Sequence, residues 1–207
     1  MPPEFFISAL VTLLVVVDPV GLVPIFTSLT ARLPVPARRR VAIRASLIAL
    51  LILCGAALIG DWLLRQLGIG LPAFRIAGGL LLFSIASEMV FGVRIVRETN
   101  AVEAAIEDDI RNIAAFPLAI PLMAGPGAIT AVILLAGRGY GDPVRLGGLV
   151  AVIALAMLAC LIAFLLGTRI TKLLGVTGNV VLERLLGVIL AALAVQFVID
   201  GIRAAWS

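Results

Sequence analysis

Few side chains in this 207-residue sequence are equipped for chemistry. It has no histidine and two cysteines. Without histidine, Ser-His-Asp hydrolysis, Cys-His proteolysis and His-ligated zinc are excluded together. Cys54 and Cys160 lie far apart in apolar runs, so they form neither a CxxC redox site nor a disulfide framework. One carboxylate, Asp18, lies deep in an apolar run, in the segment Asp18-Pro19-Val20-Gly21-Leu22-Val23-Pro24. A second segment repeats the punctuation without the acid: Pro117 and Pro121, then Gly125-Pro126-Gly127 and Thr130. Proline inside a helix removes a hydrogen bond and clashes with the preceding turn, so both segments are expected to break their helices. Asp18 before Pro19 suits an N-cap and a first helical position, and Gly125 before Pro126 has the same plan without the carboxylate.

Such breaks carry a definite chemistry. Each restarted helix aims N–H groups and a positive dipole end at whatever faces it, which suits a carboxylate or another anion. Carbonyls freed before each break accept from an ammonium group or coordinate a cation. Together the two faces suit a zwitterion such as an amino acid. The substrate-binding candidates are therefore Asp18, Pro19, Gly21, Pro24, Gly125, Pro126, Gly127 and Thr130. Asp18 has two readings, which can coexist: a partner for substrate ammonium, Na+ or H+, or a cap that satisfies backbone amides. Arg75, Arg184 and Gln196 join the candidate list. The two arginines either bind substrate carboxylate or anchor helix ends at headgroups. Ser84 and Ser87 add polar groups inside spans, while Glu88 and Asp200 lie near span ends and are read as interfacial. No protein cofactor or metal cluster is expected, and Na+ or H+ at Asp18 is the coupling ion considered.

The elements that must position these residues are membrane helices. The chain is 62% hydrophobic and 14% charged, against about 45–50% and about 25% in soluble domains. A membrane-spanning helix needs about 20 mainly apolar residues. Six stretches qualify: 5–29, 41–64, 71–93, 113–137, 146–168 and 183–203. The start, MPPEFFISAL, lacks the basic region of a signal peptide, so the first stretch is expected to stay as a helix. From 5 to 17 is roughly 20 Å of helix and from 113 to 124 roughly 18 Å. Entered from opposite faces of a roughly 30 Å core, the two breaks reach similar depths near the midplane.

The net charge of +4 carries no aromatic-interleaved basic patch, so nucleic acid is not an expected partner. Eleven of the 16 Lys and Arg fall in the connections on one side, including Arg38, Arg39 and Arg40. The positive-inside rule then places both termini outside the cytoplasm. The connection 94–112 mixes Arg94, Arg97 and Arg111 with five acids, and Val102, Ile106 and Ile110 recur at i+4. A short interfacial helix and a solvated linker are equally good readings of it.

The halves are related. At an offset of 107, Pro19 meets Pro126, Gly60 meets Gly167, Arg65 meets Lys172 and Gly68 meets Gly175. After a two-residue insertion the offset is 109, and Arg75 meets Arg184, Gly78 meets Gly187 and Gly92 meets Gly201. Three spans per half is an odd number, so the halves are expected to be inverted in the membrane, as in many secondary transporters. The fold class read from the sequence is all-α: one membrane domain over 1–207 with six helices in two inverted three-helix repeats, 1–93 and 113–207, joined by 94–112. Spans one and four are broken.

The sequence resembles the MarC family of bacterial and archaeal membrane proteins. The resemblance runs through DPVGLVPIF, LPAFRIAGGLLLF, FPLAIPLMAGPGAIT and ERLLGVILAALAVQFVIDGI, and so covers nearly the whole chain. It implies a six-helix inner-membrane protein grouped with LysE-like exporters. It also implies transport of small neutral amino acids such as glycine or alanine, coupled in some archaeal relatives to an ion gradient. Relatives often carry Asn where this chain has Asp18, so the coupling ion does not carry over. The function expected is secondary transport or export of small neutral amino acids, with no enzymatic activity. Alternatives are a passive export pore or a membrane protein without a transported substrate. The partners expected are the substrate, the lipid bilayer and a second copy of the chain.

Overall fold

The computed structural model describes residues 3–92, 113–137 and 142–206, all in helices and short turns. The connection 94–112 lies outside the described residues. In chain order the helices are α1 (Pro3–Val17), α2 (Leu22–Leu29), α3 (Val35–Gln66), α4 (Leu71–Phe91), α5 (Ala114–Met123), α6 (Pro126–Gly137), α7 (Pro143–Leu165) and α8 (Gly167–Trp206). Four helices are long and apolar enough to cross a membrane: α3, α4, α7 and the part of α8 over Thr177–Trp206. The bent pairs α1–α2 (47°) and α5–α6 (56°) bring the number to six if each pair is one span.

Prolines set the helix starts more sharply than charge does. α3, read from the sequence as a span over 41–64, begins at Val35, with Pro34 at the N-cap, and carries Arg38, Arg39 and Arg40 within its first two turns. A proline near the first helical position suits the orphan N–H there, whereas charge only decides which side faces water. Pro72 and Pro143 stand at the starts of α4 and α7, and Asp142 caps α7 by accepting from Val144 N (2.9 Å). The boundary between α7 and α8 differs from the sequence reading, which ended one span at 168 and began the next at 183. The chain turns at Leu166, resumes as a helix at Gly167, and kinks at Gly175 (φ 61°, ψ −176°). Gly68, after α3, also has positive φ (69°). L-residues with a side chain rarely take this conformation, and glycine takes it freely.

α6 forms much of the interior and the long helices the wall, while α1 and α5 each bury one side and expose the other. Nearly all of α6 is buried, with Ala131 and Val132 fully so, as are Ala9, Leu13 and Val17 on α1. By contrast α3, α4, α7 and α8 each keep an exposed apolar face, for example Leu47, Leu51, Leu58 and Trp62 on α3. With about 20 apolar residues per helix and no water at the core, such faces suit lipid. The most extensive packing joins α4 to α8; α3 packs on α5, α6 and α7, and α1 on α6, α7 and α8. The α2 pair-half meets α7 and α8, where Phe26 and Phe164 stack at 4.6 Å.

Candidate functional site

The first break is stitched closed by Asp18. Its backbone N–H donates to Leu14 O (3.0 Å), ending α1, and its carbonyl accepts from Leu22 N (3.1 Å), starting α2. Its Oδ1 accepts from Gly21 N (3.0 Å). Asp18 is 2% exposed and holds a left-handed backbone, φ 52°. Asp tolerates that conformation better than most residues because its short side chain bonds locally, as it does here. A Cβ on Gly21 would run into the Asp18 carboxylate, so the glycine is required by the side chain of Asp18 and not by its own ordinary helical φ of −62°. Pro19, Gly21 and Pro24 are half-buried, and Pro24 O accepts from Thr27 Oγ1 (2.8 Å).

The second break is looser. Phe116 (φ −134°, ψ 130°) and Ile120 (φ −124°, ψ 124°) are extended. Each precedes a proline, whose ring disfavours the helical region for the residue before it. Ala124 N reaches five residues back to Ala119 O (2.8 Å), and α6 starts at Pro126 with Ile129 N donating to Gly125 O (3.0 Å). The first turn of α6 carries no acidic residue, whereas Asp18 supplies a carboxylate to the start of α2. The pair thus presents one end with an acid and one without.

The two breaks adjoin. A Cβ on Gly127 would lie 3.5 Å from Val16 Cγ1, on the last turn of α1, and 2.8 Å from Ile85 Cδ1 on α4. Thr130, 4% exposed, sets its methyl against Gly78 of α4. Cys160 of α7, fully buried, lies within electrostatic reach of Asp18. Around this meeting of the two breaks Asp18, Gly127 and Thr130 are buried, Pro19, Gly21 and Gly125 half-buried, and Pro126 exposed.

The remaining candidates do not join it. Gln196 is exposed on α8 and donates Nε2 to Asp200 Oδ1 (2.7 Å). Arg184 is exposed. Arg75, one turn before Gly78, is half-buried with its Nε sealed and without a hydrogen-bond partner. The two arginines, read alike in the sequence, thus differ in burial. Ser84 is exposed and Ser87 bonds back to Phe83 O (2.8 Å). Asp18 is also not the sole buried acid: Asp61 and Glu183 are 8% and 6% exposed. Asp61 pairs with Arg65 (2.8 Å) one turn on, an i,i+4 spacing visible in the sequence, whereas nothing local in the sequence marks Glu183 as buried. Among the described residues no three acidic or thiol side chains gather as a metal site.

A helical bundle with lipid-suited faces on its outer helices and two broken helices within it defines an integral, multi-pass membrane protein. The chain belongs to the MarC family: the family model, MarC family integral membrane protein, matches residues 3–206. It is 40% identical to a UPF0056 membrane protein of Aquifex aeolicus, covering 96% of this chain and 92% of the relative. It is 38% identical to the UPF0056 membrane protein MJ1677 of Methanocaldococcus jannaschii, over 99% of both chains. It is 36% identical to the UPF0056 membrane protein YhcE of Escherichia coli, covering 97% and 91%. No solved structure matches the chain.

Proposed function

We propose that this protein is a secondary transporter of small neutral amino acids, binding its substrate where the two breaks adjoin. The observation that carries this reading is the meeting of an acid break at buried Asp18 with a break at Gly125–Pro126 whose restarted helix has no acid in its first turn, beside Val16 and Thr130. An ammonium group suits the first and a carboxylate the second. The acid is held by its own loop, so the substrate carboxylate goes to α6 and not to α2.

The packing pattern supports two inverted repeats. Exchanging the halves turns the contact of α3 with α5 into that of α7 with α1, α3 with α6 into α7 with α2, and α4 with α6 into α8 with α2; all six contacts are present. Gly60 packs against Ile133, and Gly167, 107 positions later, packs against Val23 and Thr27. Gly68 and Gly175 share the positive φ that ends the same helix in each half. On this reading the protein sits in the inner membrane with six spans and both termini outside, which a C-terminal alkaline phosphatase fusion tests by being active.

The test is exchange of labelled alanine and glycine by the purified protein in vesicles. Exchange of either is expected, and Asp18→Asn, which keeps a capping oxygen but removes the charge, is expected to reduce it. Absence of exchange of both substrates by folded protein would overturn the assignment.

A further inference from the structure

The two bent pairs are held very differently. α1 packs against three helices, α6, α7 and α8, whereas the extensive contacts of α5 are with α3 alone. The α1–α2 break is closed by three hydrogen bonds through Asp18. The α5–α6 stretch has prolines at 117, 121 and 126, none of which donates, and extended residues at 116 and 120, so bending it breaks few helical bonds. Phe116 and Ile120 are 58% and 47% exposed while Leu118 and Ala119 are fully buried, which makes α5 a cover with one face inward.

The helix on which this cover rests, α3, holds an unexplained group. Ser46 of α3 is 6% exposed, and its Oγ is sealed without a hydrogen-bond partner. Ser46, Leu53 and Gly60 are buried at seven-residue steps, about two turns each, and so share a face of α3. Gly60 on that face meets Ile133, near the end of α6. For α3 to meet α5 as well, α5–α6 must run alongside it in the same direction. Ser46, about 21 Å back from Gly60, therefore lies at the level of α5. A sealed hydroxyl with no partner is costly and calls for a reason.

The wall beside this cover cannot slide easily. α4 and α8 touch backbone to backbone at three levels: a Cβ on Gly201 would lie 3.0 Å from Pro72 O, one on Gly79 2.7 Å from Ala194 O, and one on Gly187 3.2 Å from Ala86 O. From Pro72 to Ala86 is about 21 Å of helix, most of a bilayer core. Because α4 and α8 belong to opposite halves of the chain, rocking one half against the other would shear all three contacts.

We propose that α5 is a gate, hinged at Ala124 and Gly125, that lifts from α3 while the α4–α8 pair stays fixed, and that the Ser46 hydroxyl gains its partner when the gate is open. The role of the gate in transport rests on the reading above, but the motion does not. Its test is cysteine labelling of Ser46→Cys in a Cys54→Ala background, with native Cys160 as the internal control. N-ethylmaleimide is applied to the protein in vesicles, and rates are compared with those of the same protein denatured in SDS. A minor open state populated at about 0.1–10% slows labelling by about 10- to 1000-fold without abolishing it. The thiol introduced by Ser46→Cys is thus expected to react measurably while Cys160, beside the closed break, does not. Ala45→Cys, on the same turn, is the second variant should Ser46→Cys fail to fold. Protection at 46 or 45 equal to that of Cys160 overturns the gate. A labelling rate that alanine leaves unchanged, with labelling intact, supports the gate and counts against the transport assignment alone.

Discussion

The mutual dependence of Asp18 and Gly21 yields a prediction whose sign changes with background. Gly21 has φ −62° and ψ −27°, an ordinary right-handed helical conformation, so the backbone itself accepts alanine. The obstacle is the Asp18 carboxylate, which occupies the space of a Cβ at 21; even Cγ would be only 2.7 Å away. Gly21→Ala must therefore expel the carboxylate and break the bond from Gly21 N to Oδ1 (3.0 Å). A buried hydrogen bond to a charged group contributes about 1.5–3 kcal/mol. In an Asp18→Gly background the obstacle is gone, and Gly21→Ala should stabilise by about 0.4–1 kcal/mol through the reduced freedom of the unfolded chain. Glycine at 18 also accepts φ 52° without strain. The unfolded-chain contribution is present in both backgrounds and cancels, so the expected coupling between the two positions is that of the lost bond, about 1.5–3 kcal/mol. Reversible unfolding in mixed micelles with increasing SDS measures all four proteins. If Gly21→Ala costs the same in both backgrounds, the carboxylate does not occupy that space and the account of the first break is wrong.

Further outcomes follow from the same packing. Gly79→Val should lower the midpoint of unfolding markedly, since even a Cβ there would approach Ala194 O and Val198 N at 2.7 and 3.1 Å, whereas Gly147→Ala, with open space around it, should not. Asp142→Ala removes the cap of α7 and should cost about 0.5–2 kcal/mol, measured in the same SDS titration. Arg65→Gln should cost less than about 1 kcal/mol, because the Arg65 side chain is 63% exposed although it pairs with buried Asp61. In the exchange assay Gln196→Ala should leave alanine exchange unchanged, as Gln196 faces outward and bonds to Asp200, whereas Pro126→Leu should reduce it. A loss in the first and none in the second would invert the assignment of the site.

Much of the architecture was legible because membrane solvation writes it into composition. A span must be long, apolar and internally hydrogen-bonded, so its existence shows in a window of residues. Proline and glycine act on the backbone locally, so the breaks at 18–21 and 124–125 and the positive φ at Gly68 and Gly175 lie where the sequence placed punctuation. What composition could not reveal was which polar residues are covered. Gln196 and Thr130 look alike as polar residues in apolar runs, yet the first faces outward on α8 and the second is sealed against Gly78. Arg75 and Arg184 look alike in the sequence, each near the start of an apolar run, yet Arg75 is half-buried and Arg184 exposed. Glu183 and Ser46 are both buried, which no local pattern in the sequence marks.

The sequence alone therefore determined that this is a helical membrane protein, where its helices break, and that Asp18 is the acid at the first break. Those properties depend on hydrophobicity and on the backbone chemistry of single residues. The tertiary structure decided that the two breaks adjoin, that the first is closed by its own buried carboxylate, and that α5 is held mainly by α3. Burial and partnership are set by which helices pack together, and helices with equally apolar surfaces do not encode that choice in their local sequence.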